Sequence, residues 1–438
     1  MTRPEPAAPS TSPTATPPTI APTSVGRSVL IYACAFAVVG ATPFLLLPFL
    51  TTRLAPQEFG EVTSFLMLTV LCANIAGLSA HGFVSVRYFK TPADQFKGIV
   101  TTSLWAILAA HAVAVLVLVA AHPLLNRALE LPLGYTALAA VVALFLNGNL
   151  IFLAIFQSSG RPLLYLRARV IQGFCELGVC VGLVLFVQAD ASARIFSYAL
   201  GITASSVVGW VACRRQQFLG GAADRAHLRG LFSFGLPMLP HLVAGSSISY
   251  LDRLVVSSLL GLESLGIYMV AMQIGLAMMA LIEPLNKALA PWLFEQLAKN
   301  DPAVRALLVK RTYLFFAALM LVGTVVAVAA HLLFDIAIGE EYAGARPLIP
   351  WMVGAFVMQG MYYAVVNYLF YAEKTGRLSV ISFTTAVVGC GISWTLTSRY
   401  GLQGAGASFL INNTILFVLV WAMSARTVPM PWLPWRRA

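Results

Sequence analysis

Residues 231–275 read LFSFGLPMLPHLVAGSSISYLDRLVVSSLLGLESLGIYMVAMQIG, and their only charged side chains are Asp252, Arg253 and Glu263. A helix needs about 20 mostly apolar residues to cross ~30 Å of hydrocarbon. The stretch therefore holds one spanning run, 231–258, and the start of another, 265–294, with a short loop between. Two adjacent charges inside such a run need a partner, a wet cavity or a route to the lipid headgroups, because a lone charge at mid-bilayer costs roughly 3 kcal/mol or more.

The rest of the chain repeats this pattern. Of 438 residues, 59% are hydrophobic and 10% charged, against about 25% charged in soluble domains. Twelve apolar runs follow residue 26. They are long and apolar on all sides, unlike the alternating ten-residue segments of a transmembrane β-barrel. The expected fold is all-α: twelve transmembrane helices in two six-helix bundles around a central cavity. The expected divisions are a disordered tail over 1–26, rich in Pro, Thr and Ser, a first bundle over 27–215, a linker over 216–230, a second bundle over 231–426, and a tail over 427–438.

Net charge is +11. Only Arg53, Arg127, Arg194, Arg346 and Arg399 fall in segments outside the membrane when the N-terminus is placed inside. Arg253 and Lys287 lie within runs, and the rest of the 28 Lys and Arg lie on the inner side. This bias puts both termini in the cytoplasm and matches anionic inner-leaflet lipid. It argues against nucleic acid. The six cysteines sit in apolar runs with no CxxC pair. No HExxH or other metal-ligand spacing, nucleotide-binding loop or nucleophile motif occurs, so no cofactor or metal is expected. No outer loop is long enough to carry the catalytic residues of a membrane polymerase or ligase.

The two halves share a weak repeat. Leu54–Phe65 (LAPQEFGEVTSF) and Leu260–Ala271 (LGLESLGIYMVA) each carry a Leu, then a Glu, then a Gly six residues after the Leu. Such internal repeats suit a protein that rocks one half against the other. Proline pairs in the first helix of each half, Pro43 with Pro48 and Pro237 with Pro240, predict interrupted helices there.

Several residues are candidates for a transport path. Arg253 either snorkels to the outer headgroups or attracts an anionic cargo with Asp252 holding it. Glu283 and Lys287, four apart with the acid first, form either an anchoring pair or an inner gate. Glu176 is the deepest single charge, with Gln172 and Arg169 one and two turns below on roughly one face. It is either a structural hydrogen-bonding group or the site of a coupling proton or cation. Asn147 and Asn149 either line a wet cavity or bridge helices. Arg53 and Arg87 cap the ends of the first two runs, as anchors or as phosphate contacts.

The stretches LLLPFLTTRLAPQEFGEVTSF (45–65), the quoted 231–275, YAGARPLIPWMVGAFVMQGMYYAVVNYLFYAEKTGR (342–377) and GLQGAGASFLI (401–411) resemble the polysaccharide flippases (Wzx type) of the multidrug/oligosaccharidyl-lipid/polysaccharide exporter superfamily. The resemblance implies a V-shaped pair of bundles in a bacterial inner membrane. It implies a cargo of oligosaccharide on undecaprenyl pyrophosphate, turned from inner to outer leaflet by alternating access for O-antigen or exopolysaccharide synthesis. It implies proton or sodium coupling, and polysaccharide polymerase and chain-length proteins as partners. The lipid II branch carries a basic cluster built partly from its first span. Here the first span, 28–52, holds no charge until its outer cap, which counts against that cargo. A cation-coupled drug exporter of similar architecture is the alternative.

Overall fold

In the computed structural model the described residues are 22–432, save 300, 373 and 374; the side chains of 22–29, 128, 240–249, 287, 288, 291, 375 and 376 are also outside the description. Every regular element among them is helical. The chain runs α1 (Pro22–Thr51), α2 (Pro56–Ala76), α3 (Ala80–Tyr88), α4 (Ala93–Ala120), α5 (His122–Leu129), α6 (Leu133–Ser158), α7 (Pro162–Phe186), α8 (Ala191–Arg215), α9 (Arg225–Ala298) and α10 (Pro302–Ala337). A 3₁₀ segment (Glu340–Leu348), α11 (Ile349–Tyr371) and α12 (Thr375–Thr427) complete it. Their ends follow local rules. Asp190, Asp224 and Asp301 cap α8, α9 and α10, accepting from Ala193, Ala226 and Ala303 backbone N–H groups, and Pro302 occupies the first helical position of α10.

Ten helices among the described residues are long and apolar enough to span a bilayer. Their outward faces are greasy: Leu116 is 70% exposed, Leu321 67% and Ile336 81%. In water such surface would be costly, and in hydrocarbon it is not. The protein is therefore a multi-pass membrane protein.

Two of the long helices contain a reversal. Gly261 in α9 has φ 81° and Gly401 in α12 has φ 57°, a region that glycine enters without steric cost. Contacts on either side pair up antiparallel. Tyr268 donates to Asp252 and Asn412 donates to the carbonyl of Gly389. Each helix is thus a hairpin of two arms, 225–260 with 262–298 and 375–400 with 402–427. The loops expected between the paired runs shrink to a turn around one glycine.

Other expectations need correction. The run read as one helix over 62–86 is broken: α2 stops at Ala76, and Leu78 and Ser79 take φ of 51° and 50° before α3. The proline pairs do not interrupt their helices. α1 runs through Pro43 and Pro48, and α9 through Pro237 and Pro240. Gln273 of α9 donates to the Pro43 carbonyl. Residues 22–26, expected in the tail, already form the start of α1, where proline is tolerated as the first residue. The linker ends at Asp224 rather than 230. Residues 428–432 fold back onto the bundle, where Tyr313 Oη donates to the Trp432 carbonyl at 2.6 Å and Trp432 is 8% exposed.

Apolar packing forms two main cores. One gathers Phe83, Phe96, Ile99, Phe152, Phe156 and Leu231 between α3, α4, α6 and the start of α9. The larger surrounds the second arm of α9 with α10, α11 and α12, and also takes in Leu46, Leu50, Leu54 and Phe59 from α1 and α2. The halves are joined where the repeats meet. A Cβ on Gly60 would collide with the Leu262 carbonyl, and a Cβ on Gly266 with the Pro56 carbonyl. These are equivalent positions of the two repeats, so the contact is reciprocal. Tyr342 Oη adds a bond to the Leu54 carbonyl at 2.9 Å. Gly266→Val should force α2 from α9 and cost about 1–3 kcal/mol by overpacking. A lower melting temperature and faster thiol labelling of a Thr51→Cys reporter are the expected results.

Candidate functional site

The ionised groups near this junction belong to two helices' worth of sequence on each side. On α7, Glu176 is 3% exposed and lies against α8 where Gly201 lets the backbones approach. Its Oε1 stands 2.7 Å from Nη2 of Arg194, itself 6% exposed. The expectation of a lone carboxylate is thereby corrected. Arg194, assigned from sequence to an outer segment, lies in the first turn of α8 and turns inward to the acid. Arg169 donates to Gln172 at 2.9 Å, so the expected ladder on α7 is present. The Arg194 guanidinium also lies 5.9 Å from the ring of Tyr198.

Tyr198 and, from α9, Tyr250 pack on one apolar cluster built around Val62, Phe65 and Ile195. Tyr250 carries the next guanidinium, that of Arg253, 4.7 Å above its ring, within the range of a cation–π contact. Arg253 Nη2 also reaches the sulfur of Met272 at 3.1 Å. Asp252, 8% exposed, accepts from Tyr268 Oη at 2.6 Å across the hairpin, while its Oδ1 has no hydrogen-bond partner. So the two neighbours point to different partners: the acid is held by a tyrosine and the base by an aromatic face and a thioether. The two charged sites are linked only through this apolar cluster, on which Tyr198 and Tyr250 both pack.

The other candidates lie elsewhere. Asn147 is buried and donates to the Ala73 carbonyl at 2.9 Å, with His111 Nε2 at 3.3 Å. It stitches the end of α2 at the α2–α3 break. Asn149, fully buried, accepts from Ser205 of α8 at 2.9 Å. Both bridge helices and neither lines an open cavity in this conformation. Arg53 is exposed at the α1–α2 turn, folded over Phe49 with its guanidinium 4.3 Å from the ring. It borders a pocket of about 330 Å³ that also holds Glu58, Glu340 and Glu341. Arg87 is exposed at the end of α3, over Phe83. Glu283 is half-buried on α9. The side chain of Lys287 lies outside the described residues, and the predicted Glu283–Lys287 pair with it. Among the described residues no group of three His, Cys, Asp or Glu side chains could hold a metal ion.

Sequence reading missed Arg194, Tyr198, Tyr250 and Tyr268. A helix start with a basic residue reads as an anchor until its neighbour is known, and buried tyrosines read as apolar. The available signal was the unmatched acid on the preceding helix.

A family model described as polysaccharide biosynthesis protein matches residues 25–297, and the chain belongs to that family. It is 25% identical over 358 residues to an "uncharacterized membrane protein" of Haemophilus influenzae, covering 80% of this chain and 84% of the relative. Its fold is that of the MOP-superfamily transporters. The inward-facing conformation of a multidrug resistance MATE family transporter superposes with a TM-score of 0.66 at 13% identity, over 91% of this chain and 97% of that one. The inward closed conformation of the lipid II flippase MurJ gives 0.70 at 12% identity, over 92% and 88%.

Removing one member of a buried ion pair strands the other, which costs about 3–5 kcal/mol. Arg194→Ala and Glu176→Ala should each sharply lower the melting temperature in detergent. The double replacement Glu176→Gln with Arg194→Gln should recover much of the loss, since no bare charge remains. Additive losses would show that the two side chains act independently.

Proposed function

We propose that this protein flips an oligosaccharide linked to undecaprenyl pyrophosphate from the inner to the outer leaflet of a bacterial cytoplasmic membrane, by alternating access. In this reading the chain makes twelve passes, with α9 and α12 contributing two each and both termini cytoplasmic. The family match and the transporter fold support a polysaccharide pathway. The observation that carries the mechanism is the reciprocal glycine contact between the repeats, near which Asp252 is buried and Arg253 half-buried in the hairpin. Leu54, Phe59 and the Tyr342 bond hold the same closure, so it parts as a unit when α2 moves from α9. When α2 parts from α9, Arg253 has only a ring and a thioether to leave, both weaker partners than a phosphate oxygen. Its guanidinium would then meet the pyrophosphate, with sugars in the cavity and the prenyl chain in lipid.

Coupling falls to the Glu176–Arg194 pair. A proton on Glu176 removes the attraction that holds Arg194 inward, and the freed guanidinium would bias the junction between α7, α8 and the first arm of α9. Polymerase and chain-length proteins would receive the cargo on the far side. The balanced charge of these sites is the one feature that suits a cation-coupled drug exporter.

Deletion of the gene should trap lipid-linked oligosaccharide in the cytoplasmic leaflet and deplete surface polysaccharide. Unchanged polysaccharide with altered drug sensitivity would overturn the reading in favour of export. In a complemented strain Arg253→Ala should lower surface polysaccharide at least tenfold at normal protein level, Arg253→Lys less so. Glu176→Gln should flatten the dependence of flipping on the proton gradient.

A further inference from the structure

A second pocket lies away from the junction, at the end of the bundle where α9 and α11 stop, α10 begins and residues 428–432 pack. Its volume is about 550 Å³, within the ~300–1,000 Å³ of small-molecule sites. Its wall carries exposed apolar side chains, which in a bilayer suit hydrocarbon. Leu289 of α9 and Leu314 of α10, both on its wall, are 43% and 69% exposed.

Its polar groups collect at one place. Arg311 stands with its guanidinium 5.1 Å from the ring of Trp292 and has no ion pair or hydrogen bond among the described residues. Asn367, 6% exposed, donates to Asn286 Oδ1 at 2.8 Å, which leaves the Asn286 amide N–H groups as donors. Tyr368 is 1% exposed and lines the same pocket, its hydroxyl set against Thr312. The described lining residues include one guanidinium and no carboxylate. A site of donors with a single fixed positive charge suits an anion. Arginine presents a planar fork that matches phosphate oxygens. An apolar wall continuous with the lipid phase suits that anion's hydrocarbon chain.

We infer that this pocket binds an anionic membrane phospholipid, its phosphate on Arg311 with Asn286 as a further donor, and one acyl chain along the wall of α9 and α10. Nearby Arg305 and Lys310 place further positive charge at the same end, where anionic headgroups concentrate. The site does not depend on the flippase reading, since it needs only a bundle in a bilayer.

The test uses the full-length protein in detergent, titrated with phosphatidylglycerol brominated on its chains, or with phosphatidylcholine carrying the same bromines. Bromine quenches nearby tryptophan, and subtracting the signal of Trp292→Phe isolates that residue. Brominated phosphatidylglycerol should quench Trp292 at least tenfold below the concentration at which phosphatidylcholine does. Arg311→Gln should raise its midpoint at least tenfold, and Arg311→Lys about threefold. Equal quenching by the two lipids would make the pocket a plain apolar crevice and overturn the proposal. So would an unchanged midpoint in Arg311→Gln, or displacement of the lipid by millimolar inorganic phosphate alone, which would mean a free-anion site. Should Arg311→Gln lower the melting temperature, Asn286→Leu replaces it, with an expected loss of about threefold; no loss there counts against the site.

Discussion

Two helices can bring their backbones together only where no side chain stands between them. Gly60 and Gly266 meet that condition at equivalent places in two sequence repeats, each against a carbonyl of the other. In lipid there is little hydrophobic gain from helix association, so close packing of small residues is a main source of attraction. That single contact decides much of what surrounds it. It brings α2 onto the second arm of α9, draws the ends of α1 and α2 into the apolar core of the second half, and lets Tyr342 reach the Leu54 carbonyl.

The charged groups fit around this closure. A bilayer-spanning protein tolerates ionised side chains where each has an answer close by. Glu176 is answered by Arg194, and Arg253 by Tyr250 and Met272. These are unequal answers. A buried ion pair at 2.7 Å is hard to take apart, whereas a cation on an aromatic ring gives up little when it moves to a phosphate. The α2–α3 break adds a further irregularity, in which the Ala73 carbonyl, already accepting from the Gly77 N–H, also accepts from Asn147, and the backbone at Leu78 is approached by Gly235 of α9. Non-helical backbone at membrane depth persists when protein covers it, and here both a side chain and a neighbouring helix do so.

Much of this was legible along the chain. Length and hydropathy specify long apolar helices, because the solvent demands that each backbone satisfy itself. The repeat could be read from Leu54–Phe65 and Leu260–Ala271 because glycine and the residues that start a helix leave a local signature. The ladder of Arg169, Gln172 and Glu176 follows from helical spacing alone. What periodicity could not supply was which helix faces which. Arg194 reads as an outer-side residue, Glu176 as a structural group or a coupling site, and Asn147 as a cavity residue or a helix bridge, since each depends on a partner from another helix.

The amino-acid sequence by itself determined that the chain lives in a membrane, that its elements are helices, and which residues carry charge inside them; these follow from solvent and spacing, which are local. Only the tertiary structure decided that Gly261 and Gly401 make reversals rather than loops, that the second apolar run breaks at Leu78 and Ser79, that Asp252 turns to Tyr268 while Arg253 turns to Tyr250, and that Arg311 faces an apolar pocket. The physical reason is that a side chain's partner is chosen by distance in space, and helices far apart in sequence become neighbours only through packing.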